Sequence, residues 1–276
     1  MLKKLIKYDI KYLNRFLILI HGVLLLGAAA VRLFVTGRIG ASTNPDNAEL
    51  LFALAFLFSF LLLVGASMAT YLVAGVRFYK NLFTDEGYLT RTLPVSSSQH
   101  LLSKTIAGTI WGFLDIVLAV FSMFLIIWTP YVSSLYAQYR SDILTELGFV
   151  GKYADISFPA TVLALLFFAL IGAVSSIVMI YASIATGQLF SGHRVIGALA
   201  MYFVLQIILS VLSLVFLTCF GKMTNLFYLS SADIEAFSFA AYMAEVLQIS
   251  TVLIIITTIP LYLVTQYIMK KRVNLP

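Results

Sequence analysis

An all-helical membrane protein that crosses the bilayer six times is the fold class this sequence predicts, and three observations predict it. Mean hydropathy is +1.00 and only 11% of the 276 residues are charged, against about a quarter in ordinary globular chains. Six apolar stretches, at about 16–36, 50–76, 104–128, 159–183, 196–218 and 248–269, are each long enough to cross a hydrocarbon core of about 30 Å, which takes about 20 residues as helix. None of them alternates apolar with polar residues, and they carry many Gly, Ser and Thr, so helices are favoured over a β-barrel. No linker, low-complexity tract or soluble domain interrupts the chain, and residues 1–276 read as one transmembrane domain.

The first element precedes the first span. In residues 2–15, "LKKLIKYDIKYLNR", Leu2, Leu5, Ile6, Ile10 and Leu13 share one helical face and Lys3, Lys4, Lys7 and Lys11 the other, with Asp9 as the one intrusion on the apolar side. A short basic amphipathic helix of this kind is expected to lie along the inner leaflet with its lysines toward anionic lipid. The span that follows exceeds the 7–15 apolar residues of a signal-peptide core, and the chain re-enters the membrane repeatedly, so it is expected to stay uncleaved.

Orientation follows from the basic residues. Thirteen of the 18 fall on one side: Lys3, Lys4, Lys7, Lys11, Arg15, Arg77, Lys80, Arg91, Lys104, Arg194, Lys270, Lys271 and Arg272. The other side holds Arg38, Arg140 and Lys152, with Arg32 and Lys222 near it, together with the acids Asp46, Glu49, Asp142, Glu146, Asp155, Asp233, Glu235 and Glu245. Both termini are therefore expected in the cytoplasm of a multi-pass protein. The pI of 9.3 needs no nucleic acid to explain it, because the excess charge sits where a membrane protein keeps it.

Spans two and three are joined on that cytoplasmic side by "LFTDEGYLTRTLPVSSSQHLLSK", residues 82–104. Thr84 is a fair N-cap, with Asp85 and Glu86 in the first turn, where the helix dipole favours acids. Pro94 ends a helix of about ten residues, about 15 Å long. Ser96 with Gln99 then fits a capping box that starts the third span. A solvated loop needs neither paired acids nor exposed Leu and Tyr. A docking element needs both, since charges set register and apolar anchors supply affinity.

The outer connections differ. Residues 37–49 form a short turn-rich loop. After Pro130, Val132, Leu135, Tyr136, Tyr139, Ile143 and Leu147 recur at three- and four-residue steps up to Gly148, which predicts an amphipathic helix on the outer surface. In the last stretch, a break near Gln248–Ser250 is expected, because one rod from about 231 through span six would run to nearly forty residues.

Several chemistries are excluded. There is no G-x-x-x-x-G-K-[ST] phosphate loop, so the chain is not expected to hydrolyse ATP alone. No H-E-x-x-H is present, and His21, His100 and His193 lack companion ligands, so no metal site is expected. "GAS" at 65–67 has no G-x-S-x-G context and no His placed to activate Ser67. Cys219, the single cysteine, forms no internal disulfide and is expected to be a small packing residue near a membrane face.

Five positions inside the spans need separate weighing. Asp115, near the middle of span three, is either a translocation or coupling group or a helix–helix contact, with Gln206 of span five as its partner. His21 reads as a hydrogen-bonding group, and Arg32 is explained by snorkelling. Gly108 and Gly112 form a G-x-x-x-G pair that serves packing within the subunit and dimerisation equally well.

The stretch "DEGYLTRTLPVSSSQHLLSK", followed by Trp111, resembles the segment after the second span in bacterial exporter-type (type-2) ABC transporter permeases. The six spans, cytoplasmic termini and basic start match that family along the chain, while the motif itself covers about thirty residues. The resemblance implies a permease subunit in the bacterial plasma membrane that pairs with a second copy, as a homodimer, and binds two separate cytoplasmic ABC ATPase subunits. ATP and Mg would be held there, and this chain would carry no cofactor of its own. By the same resemblance Asp85, Glu86, Gly87, Tyr88, Leu89, Leu93 and Pro94 form a coupling helix that fits an ATPase groove. The loop "TGQLFSGHRV", with Gly192, His193 and Arg194, gives the second contact. Arg91 departs from the uncharged residue expected after "YLT". The function so implied is ATP-driven export of hydrophobic or amphipathic cargo such as peptides, with ATPase closure pushing on residues 84–100 and tilting spans one, two and five. An ion-coupled secondary transporter or channel using Asp115 is the alternative, and a membrane anchor or sensor that merely recruits a partner is a third.

Overall fold

The structure, a computed structural model, describes residues 1–39, 45–150, 157–190, 192–220 and 239–271. Among the described residues there is no strand. The elements run α1 (Leu2–Phe34), a π-helical turn (Val35–Ile39), α2 (Pro45–Phe83), α3 (Glu86–Thr92), α4 (Ser97–Ile127), α5 (Pro130–Glu146), α6 (Phe158–Gly187), α7 (Arg194–Cys219) and α8 (Phe239–Lys271). Six of these, α1, α2, α4, α6, α7 and α8, are long and apolar enough to cross a membrane, and they contain the six expected spans. Of the charges assigned to the outer side, Lys152, Asp155, Lys222, Asp233 and Glu235 lie outside the described residues, as does Arg272 at the other end. The same holds for the side chains of Arg38, Asp46, Glu49 and Arg91.

The helices are longer than the apolar stretches that seeded them. α2 has 39 residues, about 58 Å at 1.5 Å per residue, so it extends well past a hydrocarbon core of about 30 Å. Likewise, α1 runs from Leu2 to Phe34 without a break, so residues 2–15 continue the first span and do not form a separate helix. No Gly or Pro interrupts Leu2–His21, and apolar residues on one face keep packing as the helix continues: Leu13, Leu17, Leu24 and Ala28 are all buried. The expected break at Gln248–Ser250 is absent. α8 is continuous from Phe239 to Lys271, and Thr251 Oγ1 donates back to Leu247 O at 2.7 Å within the same turn.

The shorter elements follow their termination signals. Thr129 Oγ1 accepts from Val132 N at 3.3 Å and Pro130 opens α5, a position where a missing N–H costs nothing. Gly148 closes it at φ 78°, with Gly148 N donating to Thr145 O and Phe149 N to Leu144 O, both at 2.9 Å. This is a Schellman ending, and the left-handed residue it requires is the glycine. Ser96 and Gln99 form the expected reciprocal capping box at the start of α4. α3 is shorter than expected, seven residues, with Asp85 at its N-cap position making no side-chain capping bond. Thr84 does not cap it, because its Oγ1 donates to Lys80 O at 2.6 Å at the end of α2.

α1, α2, α4 and α6 pack into one bundle, with α8 and α7 laid on α6. The N-terminus of α1, the C-terminal end of α2, all of α3 and the start of α4 share one end, hereafter the basic end. Gln266 of α8 donates to Ser98 Oγ at 2.6 Å, bringing the end of the last helix there too. The main core lies in that half: Leu13, Leu17, Phe78, Leu101, Trp111, Ile177 and Tyr181 are buried together, with Phe78 and Tyr181 stacked at 4.0 Å. Among the described residues the opposite half has a small buried group, Val31, Val35 and Ala55.

Glycines set the closest helix approaches. A Cβ built at Gly108 would lie 2.9 Å from Ile177 Cδ1, and one at Gly112 would lie 3.5 Å from Ala173 Cβ. Both glycines therefore seat α4 on α6 within the subunit. Gly75 of α2 faces Ile180 of α6 at 3.1 Å in the same way. Cys219 ends α7 and is exposed, not packed.

Candidate functional site

At the basic end a short helix is pinned to the bundle by one face and open on the other. Gly87 and Thr90 of α3 are buried against it. Thr90 Oγ1 donates to Glu86 O at 2.9 Å and accepts from Asn81 Nδ2 at 3.2 Å, tying α3 to α2. The opposite face carries Asp85, Glu86, Tyr88 and Leu89, with Leu93 and Pro94 just beyond, all exposed. Leu89 is 73% exposed, the most open large apolar side chain of the segment. Gly192 and His193, between α6 and α7, are exposed and Arg194 is half-buried at the same end.

Beneath α3 lies a charge cluster that joins three helices. Asp9 of α1 is 6% exposed. Its Oδ1 accepts from Lys104 Nζ at 2.9 Å and its Oδ2 from Ser103 Oγ at 2.8 Å, both from α4. Lys104 is itself only 3% exposed. Arg77 of α2 completes the group: Nε is 3.9 Å from Asp9 Oδ1, the guanidinium lies 4.2 Å over the Tyr12 ring, and a terminal nitrogen is 3.6 Å from Glu86 Oε2. Two carboxylates thus balance two cations, so the burial of Asp9 and Lys104 leaves no net charge. Through Arg77 the exposed α3 is linked electrostatically to the buried pair.

The Asp9 contact is the first rung of a polar ladder between α1 and α4. Above it Trp111 Nε1 donates to Asn14 Oδ1 at 2.9 Å, and His21 Nε2 meets Asp115 Oδ1 at 2.9 Å. At the far end Arg32 donates to the carbonyls of Leu125 and Trp128. The sequence separations across these contacts stay between 93 and 97. A near-constant offset means that the two helices run parallel in fixed register. From Asp9 to Arg32 is about 35 Å along α1, a full membrane thickness. Arg32 also places a cation on the last carbonyls of α4, where the helix dipole is negative; this bonding, more than snorkelling, accounts for its position.

The middle rung has a definite proton content. His21 Nδ1 lies 2.8 Å from Leu17 O, which can only accept, so that nitrogen carries a hydrogen. Nε2 and Asp115 Oδ1 then share one more, on nitrogen as an ion pair or on oxygen as a neutral pair. Either way the pair has no net charge. Thr70 Oγ1, from α2, lies 3.3 Å from the same carboxylate oxygen and Asp115 is 1% exposed. The expected Asp115–Gln206 contact is not formed, because α6 lies between α4 and α7 and packs on both.

Gln206 instead faces two grooves on the other side of α6. The larger, about 840 Å³, lies between α2, α6 and α7 and is walled by aliphatic side chains, with Ser67, Tyr71, Ser176, Ser183, Tyr202 and Gln206 as its polar points. A second, about 500 Å³, lies between α6 and α7 and is lined by Ser175, Ser176, Gln206, Ser210 and Ser213 among apolar residues. Among the described residues no charged side chain lines either groove. Among the described residues no group of three His, Cys, Asp or Glu side chains is placed to hold a metal ion.

Of the residues singled out from sequence, the α3 set and Gly192–Arg194 thus sit at one end of the bundle, while Asp115 and Gln206 are separated by a helix. Sequence reasoning missed Arg77, Ser103, Lys104, Thr70 and Asn14 as bonding partners. One signal was present: Asp9, the one charge on the apolar face of its helix, marks a carboxylate that needs a buried cation. Comparison with protein-family models, curated proteins and solved structures found no match for this chain.

Proposed function

We propose that this chain is the transmembrane permease subunit of an ATP-driven exporter in a bacterial plasma membrane, with both termini and α3 in the cytoplasm. Two copies would pair and bind two separate ABC ATPase subunits, which hold ATP and Mg. The single observation that carries this reading is the construction of α3. A helix of seven residues exposes Glu86, Tyr88 and Leu89 while its other face is fastened to α2 and, through Arg77, to the buried Asp9–Lys104 pair. An exposed Leu beside two acids on a fixed platform suits a partner that binds apolar anchors and reads charge. The clustering of Lys and Arg at this end supports its cytoplasmic placement. The resemblance of residues 85–104 to exporter permeases names the partner as an ATPase.

The grooves support the cargo class. An aliphatic wall with hydroxyl and amide points and no charge suits hydrophobic or amphipathic molecules, peptides among them, better than ionic solutes. The alternative of ion coupling through Asp115 has less support. That carboxylate is buried, hydrogen-bonded to His21 and Thr70, and lines neither groove.

The direct test of the docking surface is the double substitution Glu86→Lys with Leu89→Asp, and Leu89→Asp alone, which spares the Arg77 contact. Both variants are expected to abolish co-purification of an ABC ATPase with the chain and to remove cargo-stimulated hydrolysis, with unchanged yield and helicity of the permease. Co-purification at the parent level would move the docking site elsewhere.

A further inference from the structure

We infer that the groove between α2 and α7 is a binding site for an anionic phospholipid, with the phosphate between Lys80 and Arg194 and one acyl chain lying along the groove. Both helices pack on α6 and leave a space of about 840 Å³ between them, floored by Met179, Ile180 and Ile184. Its walls are open to the bilayer: Met68 and Leu72 of α2, and Val195 and Leu199 of α7, are each more than half exposed.

Two cations stand in line with those walls at the basic end. Met68, Leu72 and Val76 line the groove at four-residue steps along α2, and Lys80 is the next position in that row. Ala198, Tyr202 and Gln206 line it at the same step along α7, and Arg194 is the position before them. Residues four apart share a helix face, so both cations stand on the groove-lining faces, at its rim. Lys80 is exposed and Arg194 half-buried. Among the described residues neither forms an ion pair, whereas Arg77 and Lys104 at the same end are matched by Asp9 and Glu86. Basic rims of pockets between spans hold anionic lipid headgroups.

The wall behind the cations is hydrocarbon. Val76, Ile180, Ile184, Val195 and Leu199 surround the half of the groove next to the rim, and Ser183 there donates its hydroxyl to Ile180 O at 2.7 Å. Tyr79 lines the groove beside Lys80, where an amphipathic ring suits the headgroup level. Tyr71, Ser176, Tyr202 and Gln206 lie deeper, about 12–18 Å from the rim. An acyl chain needs no partners along the rim half, whereas the backbone N–H and C=O groups of a peptide would find them only at the deeper end. The reach also fits. From Arg194 to Gln206 is about 18 Å along α7, against about 15 Å for one leaflet of a hydrocarbon core of about 30 Å. The site is built by this protein alone and needs neither an ATPase nor a second copy. On the exporter reading, cargo reaches the deeper polar points by displacing this lipid.

The experiment is native mass spectrometry of the full-length protein, released from micelles that hold either palmitoyl-oleoyl phosphatidylglycerol or palmitoyl-oleoyl phosphatidylcholine. These lipids share their acyl chains and differ in net charge. Each protein is expected to retain one phosphatidylglycerol, about thirtyfold more tightly than phosphatidylcholine, since each basic residue near a membrane surface contributes about a factor of five toward an anionic lipid. Lys80→Gln with Arg194→Gln is expected to bring retention of phosphatidylglycerol down to that of phosphatidylcholine. Lys3→Gln with Lys7→Gln, at exposed cations of α1, is expected to change nothing. Leu199→Trp and Leu72→Trp narrow the groove from either wall and are expected to weaken retention with both cations in place.

Equal retention of the two lipids by the parent overturns the inference, as does an equal loss in the Lys3–Lys7 and Lys80–Arg194 variants. Undiminished retention in both Trp variants overturns it too, because the acyl chain would then lie elsewhere. Should one Trp variant fail to fold, the other decides; should the double Gln variant fail, the Lys80→Gln protein decides by a loss of about fivefold. Leu89→Asp, which removes ATPase docking on the exporter reading, leaves lipid retention at the parent level, so the two readings fail separately.

Discussion

Asp9→Ala is expected to lower the stability of the bundle by about 3–5 kcal/mol, the range found when one partner of a buried ion pair is removed. The substitution leaves Lys104, 3% exposed, with no carboxylate within bonding reach, and Ser103 Oγ keeps only the His100 carbonyl. Lys104→Met is expected to cost less. Asp9 then keeps the Ser103 hydroxyl and gains the approach of Arg77, already 3.9 Å away. Asp9→Leu combined with Lys104→Met is expected to recover most of the loss, since well-packed apolar replacements of a buried pair are often close to neutral. Unfolding midpoints in mixed micelles measure all three. Equal stability of Asp9→Ala and the parent would mean that Lys104 reaches water and that the cluster is not the buried anchor of α3.

The second large effect concerns the middle of the membrane. Asp115→Leu removes the partner of the buried His21 Nε2, while Thr70 Oγ1 keeps Ala66 O, and is expected to destabilise the fold by about 1–3 kcal/mol through the unsatisfied imidazole nitrogen. Asp115→Asn is expected to be close to neutral in both stability and transport. Its amide N–H donates to a neutral His21, which still donates from Nδ1 to Leu17 O. Retained transport in Asp115→Asn separates a helix-joining role from an ion-coupling one, because an amide cannot carry a proton through a cycle. Loss of transport in a stably folded Asp115→Asn protein would revive the ion-coupled alternative.

These two sites show what was legible in the chain and what was not. The six spans were readable because a bilayer fixes how many apolar residues a helix needs, and α5 because Thr129, Pro130 and Gly148 are strong local stop and start signals. The Ser96–Gln99 box was readable for the same reason: its partners are three residues apart. Positions that depend on register between helices were not. Nothing in a linear pattern says that residue 9 meets residue 104 or that residue 21 meets residue 115, so Asp115 was matched to Gln206, the other polar group at a similar depth. The fixed offset of the α1–α4 ladder becomes visible only once two spans lie side by side. The expected break near Ser250 rested on the length a single rod would need, yet the helix runs unbroken for 33 residues from Phe239, its polar side chains bonding within it as Thr251 does.

Reconstitution in sealed liposomes measures the central claim most directly. Co-reconstituted with an ABC ATPase that co-purifies with it, the chain is expected to move an amphipathic peptide across the bilayer only when ATP and Mg are supplied, and to stop when Leu89 is replaced by Asp. Transport of the same peptide by this chain without an ATPase, driven by an ion gradient, would contradict it.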